Sequence, residues 1–175
     1  MNIVKKEIID ALFIKAVELS KNPELLNNGL IMTSSSASDV IGNQYFNIRT
    51  DDSINDVVFL GNTFPVIYVN PSNFNKLNEI TRVYVIMFCG FLYYTSFFDI
   101  LFFSSHKKEA DQKTIKLMDS NGLLNYESVK ELLNSLRDIF CKYGDNVKTS
   151  KRMRNILNFI PIEYFSINYK KRNLM

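Results

Sequence analysis

The chain has 175 residues, 46% hydrophobic and 22% charged, with a net charge of +3, one histidine and two cysteines. That length accommodates one domain with a substantial core, and so much apolar content excludes a wholly disordered chain. A single histidine, His106, and the lack of any CxxC pair exclude most zinc, haem and histidine-based acid–base chemistry; Cys89 and Cys141 lie in apolar helical patterns and are expected as buried thiols.

Ile3, Val4, Ile8, Leu12, Ala16 and Leu19 recur at helical spacing, which predicts an amphipathic first helix ending near Asn22 and Pro23. Lys5, Glu7 and Asp10 interrupt any signal-peptide core, so a reducing interior is the expected location. Residues 27–29 and 33–38, rich in Asn and Ser, read as loop. Residues 57–60 and 66–69 read as two short strands joined by a turn at Gly61 and Asn62. Asn70, Pro71 and Ser72 break the second strand, with Ser72 as a candidate helix N-cap. One long helix is then expected over residues 73–102, kinked near Gly90, and a second from His106 to Asp119, stopped by Asn121 and Gly122.

The clearest helix runs from Tyr126 to Tyr143, with Val129, Leu132, Leu133, Leu136, Ile139 and Phe140 as its stripe, Asn125 as its cap and Gly144 as its end. A short basic helix over residues 149–158 leads to Ile160, Pro161 and Ile162 and an aromatic, basic tail. The expected fold is α+β and mostly helical: a small sheet of short strands on a long buried apolar helix, with amphipathic helices around it. Residues 1–147 are expected to form the domain. Residues 148–175 would be an extension packing on that domain or on a partner.

Residues 83–103 have no basic side chain and include nine Phe or Tyr. A bilayer span needs ~20 apolar residues, so the length qualifies. Asp99 opposes insertion, since a carboxylate at mid-depth costs ~2.5–3.5 kcal/mol. The first helix and the Tyr126–Tyr143 helix each need an apolar partner, so a helix buried on all sides is the preferred reading. Asp99 would then pair with a lysine or arginine of another segment.

The order of elements over residues 57–121 resembles the HExxH zinc-metallopeptidase domain of the gluzincin type. Val66, Ile67, Tyr68, Val69, Asn70 and Pro71 match its edge strand and exit, and residues 77–102 its apolar helix. Lys107, Lys108, Glu109, Ala110 and Asp111, followed by Ile115, Leu117 and Met118, match its second helix. The resemblance implies a scaffold without its metal site. The turn from Ile86 to Tyr94 has no histidine or carboxylate, and Lys107 stands where the family has its third ligand, four residues before Asp111. No hydrolysis, metal or cofactor is therefore expected.

Charge is uneven along the chain. Eight basic residues against Asp145 and Glu163 give +6 over residues 142–172, leaving −3 for the rest. Lys148, Lys151, Arg152, Arg154, Lys170, Lys171 and Arg172 are the candidate contacts for a partner or a nucleic acid, with Phe159, Tyr164, Phe165 and Tyr169 among them. There is no glycine-rich phosphate loop and no Gly-x-Ser-x-Gly elbow; His106, beside two lysines, is expected to be exposed. The reading is a non-catalytic structural or interaction protein with no small-molecule substrate. It would dock on other protein subunits in a homo- or hetero-oligomer through the loop at residues 27–38 and the tail. Abundant Asn, Ile, Lys and Phe, as AT-rich coding produces, point to a phage virion component such as a head–tail connector or ring subunit. Its place would be the host cytoplasm and the assembled virion, or simply the cytoplasm if the chain is not phage-encoded. A nucleic-acid-associated or regulatory module is the alternative, and a membrane anchor through residues 83–103 the third reading.

Overall fold

Helix α1 (Ile3–Lys21) buries Ile8, Leu12, Ala16 and Leu19, the stripe its spacing marks. The structure is a computed structural model that describes residues 3–28, 31–33, 46–61, 65–96, 103–143 and 146–165. After a 3-10 turn (Pro23–Asn28) come strands β1 (Ile31–Thr33), β2 (Phe46–Thr50), β3 (Val58–Leu60) and β4 (Val66–Val69). They form one sheet in the order β1-β2-β4-β3, with β2 and β4 parallel and both outer pairings antiparallel. Phe46, Ile48, Ile67 and Val69 alternate along β2 and β4 with less buried neighbours and join the core.

Five helices complete the described chain: α2 (Pro71–Phe74), α3 (Glu79–Ser96), α4 (Phe103–Ser120), α5 (Tyr126–Tyr143) and α6 (Asn146–Phe159). A second 3-10 turn (Ile162–Phe165) follows. The fold class is α+β and mostly helical, as expected. Helix α3 lies at its centre, buried at Ile80, Thr81, Val83, Tyr84, Val85, Ile86, Met87, Cys89 and Phe91. It packs on α1 and on α4, and also meets α5 and the sheet. No helix among the described residues is long and apolar enough to cross a membrane. Asp99 lies outside the described residues.

The long helix expected over residues 73–102 is two helices as far as Ser96, because two asparagines cap two starts; residues 97–102 lie outside the described residues. Asn70 Oδ1 accepts from Asn73 N at 2.9 Å, so Asn70 rather than Ser72 caps α2, with Pro71 in the first turn. Asn78 Oδ1 accepts from Thr81 N at 2.9 Å and starts α3. The link between them is held by Arg82. Its Nε donates to Phe74 O at 3.2 Å, Nη2 to Asn75 O at 2.9 Å and Nη1 to Ser20 O at 2.8 Å, which ties the end of α2 to the end of α1.

Helix α3 runs unbroken from Glu79 to Ser96 through Gly90. The glycine serves as a contact point: a Cβ there would lie 2.3 Å from Leu12 Cδ2. Helix α4 ends as expected, with Gly122 at φ +68°, Gly122 N on Asp119 O at 2.9 Å and Leu123 N on Met118 O at 3.0 Å. Asn125 and Ser128 cap α5 reciprocally, Ser128 N donating to Asn125 Oδ1 at 3.0 Å and Asn125 N to Ser128 Oγ at 2.8 Å.

Two side chains differ from expectation. His106 is 8% exposed, not solvent-facing, because α4 begins three residues earlier and places it one turn from buried Ala110 while Lys107 and Lys108 point outward. Cys141 is exposed, since it follows Asn134 and Arg137 on the outer face of α5, away from Leu132 and Leu136. Strands β1 and β2 were not foreseen. Part of the expected loop, residues 31–33, is β1, while residues 34–38 lie outside the described residues.

Candidate functional site

Three residues from three helices meet under α6. Asp111, on α4, is completely buried. Its Oδ1 accepts from Tyr84 Oη of α3 at 2.5 Å and from Arg152 Nη2 of α6 at 2.8 Å, while its Oδ2 accepts from Arg152 Nε at 3.0 Å. The guanidinium is also sandwiched, its carbon 4.2 Å from the Phe88 ring centre and 4.4 Å from that of Phe140. Phe88 stacks on Tyr84 at 6.2 Å and 7°. A two-pronged ion pair between two aromatic faces is the geometry arginine favours over lysine.

The electrostatics suit holding rather than reacting. Burial first, then the charge of Asp111, push the Tyr84 phenol well above its ordinary pKa, so it stays a neutral donor. Burial alone would lower the Arg152 pKa, but Tyr84 and Asp111 outweigh it and the net direction is up. Neighbouring Cys89 is pushed up to about 12 by burial, which keeps it a thiol and a poor nucleophile. Among the described residues no three His, Cys, Asp or Glu side chains lie close enough to share a metal ion.

The cations expected as partner contacts separate here. Lys151 and Arg154 are exposed on α6, whereas Arg152 turns inward on the face that buries Ile156 and Ile160. Arg152 thus clasps Asp111 from a side chain that is 24% exposed. Lys148 lies on α6 with its side chain outside the described residues, and Lys170, Lys171 and Arg172 also fall outside them. Sequence reading missed Tyr84 and Asp111. Their signal was position: Asp111 shares a helix face with Ala110, Ile115 and Met118, and Arg152 with Ile156, so each is a charge on an apolar stripe.

An open cleft of about 570 Å³ lies between α1, α3 and α5, lined by Val17, Lys21, Leu77, Glu79 and Glu131 among others. Two of its polar side chains are engaged within the protein: Asn78 Nδ2 donates to Ser135 Oγ at 2.9 Å, and Arg82 holds the α2–α3 link. No family model, curated protein or solved structure matches the chain.

Proposed function

We propose that the chain is a non-catalytic subunit of a protein assembly, docking on further copies of itself through the stretch that follows α6. One observation carries this reading. The 3-10 turn Ile162–Phe165 is anchored by Tyr164 Oη donating to Asp119 Oδ1 at 2.7 Å and by buried Ile160, yet it holds Ile162 70% and Phe165 41% exposed. A backbone fixed by its own contacts that still presents large apolar side chains is what a pre-organised interface uses. The charge split of +6 over residues 142–172 against −3 elsewhere lets one end of a copy attract another part of the next.

The closed Tyr84–Asp111–Arg152 cluster supports the non-catalytic part, because its strongest donors and acceptors are engaged with one another. A peptidase-like scaffold without zinc ligands accompanies the proposal; its support is that Gly90, in the turn where ligands would stand, is packed by Leu12. A virion ring or connector subunit is the narrower form, supported by composition alone. Exposed Lys151 and Arg154, three residues apart on α6, support a second reading as a nucleic-acid contact.

Light scattering on the purified chain tests the first reading. The mass should rise above 20.3 kDa with concentration, and Ile162→Ser with Phe165→Ser should return it to that value. A chain that remains a monomer throughout would refute it. Affinity for single-stranded nucleic acid that falls steeply with salt would favour the second reading. Zinc near one per chain would overturn the site-less scaffold.

A further inference from the structure

Strand β3 is an outer strand of the sheet, and among the described residues no strand pairs with its far side. Gly61 N donates to Val66 O at 2.8 Å and Asn70 N to Val57 O at 3.0 Å. With Phe59 opposite Tyr68, this alternation turns the main-chain groups of Phe59 toward β4 and those of Val58 and Leu60 toward the open side. Phe59 adds a side chain 46% exposed. An open edge with an exposed aromatic is a template for another strand.

The entry to β3 is acidic. Asp52 and Asp56 are exposed in the connection from β2, whose backbone is fixed by Asn70 Nδ2 on Ile54 O at 2.9 Å and Asn73 Nδ2 on Asn55 O at 3.2 Å. The chain continues past Phe165 with Ser166, Ile167, Asn168 and Tyr169, then Lys170, Lys171 and Arg172. Polar and apolar residues alternate over the first four, with one β-branched and one aromatic, which is a strand pattern of the length that β3 can pair. Three cations follow at once. An acidic strand entry and a strand-forming segment ending in cations are complementary.

We propose that Ser166, Ile167, Asn168 and Tyr169 of one copy add as an antiparallel strand to the open edge of β3 in a second copy, with Lys170, Lys171 and Arg172 against Asp52 and Asp56. The antiparallel direction follows from charge, since it brings the cations that end the segment to the residues that precede β3. Main-chain bonds would supply affinity and the charges would set direction. Donor and acceptor are different parts of the chain, so reciprocal exchange closes a two-fold dimer and one-way exchange builds a ring or an open filament. This rests on the subunit reading above and names its joint.

The test uses full chains in sedimentation equilibrium. Lys170→Glu, Lys171→Glu and Arg172→Glu together should weaken self-association at least tenfold, as should Asp52→Lys with Asp56→Lys. Mixing the two variants should restore association between them, because the reversed charges again face each other. Ile167→Pro and Asn168→Pro, made separately, remove the ladder N–H in either register, and one of them should weaken association at unchanged charge. Unaltered association in the charge variants, or a mixture that stays dissociated, overturns the strand addition. If only Ile162→Ser and Phe165→Ser dissociate the assembly, the strand addition falls and the subunit reading stands. If the unaltered chain never associates, both fall.

Discussion

Arg152 meets Asp111 side-on across 41 residues of sequence, with Nε on one carboxylate oxygen and Nη2 on the other. The pair joins α6 to α4, Tyr84 brings in α3, and Phe140 brings in α5. Four helices therefore converge on one charge pair. The arrangement fixes α6, in which Ile156 is the buried apolar side chain among the described residues, and so fixes where the 3-10 turn Ile162–Phe165 lies.

The two charges are unequally buried, and their loss should be unequal. The Asp111 side chain is 1% exposed and that of Arg152 24%. Arg152→Gln removes both charged donors from a carboxylate only 1% exposed and should destabilise by ~3–5 kcal/mol. Asp111→Asn leaves a guanidinium that already touches solvent, so ~1–3 kcal/mol is expected. Tyr84→Phe, Asp111→Leu and Arg152→Met together remove every polar partner and should recover most of the loss. Urea unfolding midpoints check the order; a larger loss for Asp111→Asn than for Arg152→Gln would contradict it.

Alkaline pH should weaken the fold. Cys89 is pushed up from 9.0 to about 12 by burial, and Tyr84 rises well above its ordinary 10.0. Both are neutral acids whose folded pKa lies above the unfolded one, so their contribution is complete below about 9 and is lost as pH rises. Between 9 and 12 the unfolded chain gives up protons that the folded chain retains, and each group contributes a slope of ~1.4 kcal/mol per pH unit once its unfolded form ionises. Cys89→Ala should remove most of the fall between pH 9 and 10 and make the fall above it shallower by ~1.4 kcal/mol per pH unit, leaving the part due to buried phenols. Denaturant unfolding at pH 8, 9, 10 and 11 reads this directly, and a flat profile would show that neither group is shielded.

Much of the helical framework was legible because local signals agreed. The stripe from Val129 to Phe140, the Asn125 cap and the Gly122 stop each lie within a few residues of what they control. The break at residues 75–78 was less visible, since apolar residues continue on both sides and the deciding group, Arg82, acts on carbonyls behind it and on Ser20 of α1. Strand β1 is three residues long, too short for a period-two pattern to register. The clasp was the least legible feature. Arg152 reads as one cation of a basic segment until its helix is docked, and only then does its face, rather than its charge, decide its role.

The two cysteines should react on different timescales. Cys141 is exposed on α5 and Cys89 is buried on α3. A thiol reagent at neutral pH should therefore titrate one equivalent quickly from the native chain and the second only as fast as the protein opens. Cys141→Ser should remove the fast phase entirely. Two fast equivalents would mean that the α1–α3 packing admits the reagent.

Leu12 of α1 packs directly on Gly90 of α3, and two effects compete there. Alanine at position 90 gains ~1 kcal/mol of helix propensity over glycine. Its Cβ would, however, lie 2.3 Å from Leu12 Cδ2, a side chain that is fully buried and has little room to turn. Overpacking of that kind costs ~1–3 kcal/mol, so Gly90→Ala should be destabilising on balance and Gly90→Leu much more so. Leu12→Ala by itself should lose ~2–5 kcal/mol through the cavity it leaves. Combining Leu12→Ala with Gly90→Ala lets the new methyl group occupy part of that cavity, so the double variant should be more stable than the sum of the single losses predicts by ~0.5–3 kcal/mol. Thermal unfolding of the four chains measures the coupling. Strict additivity would show that the two helices do not meet at this pair.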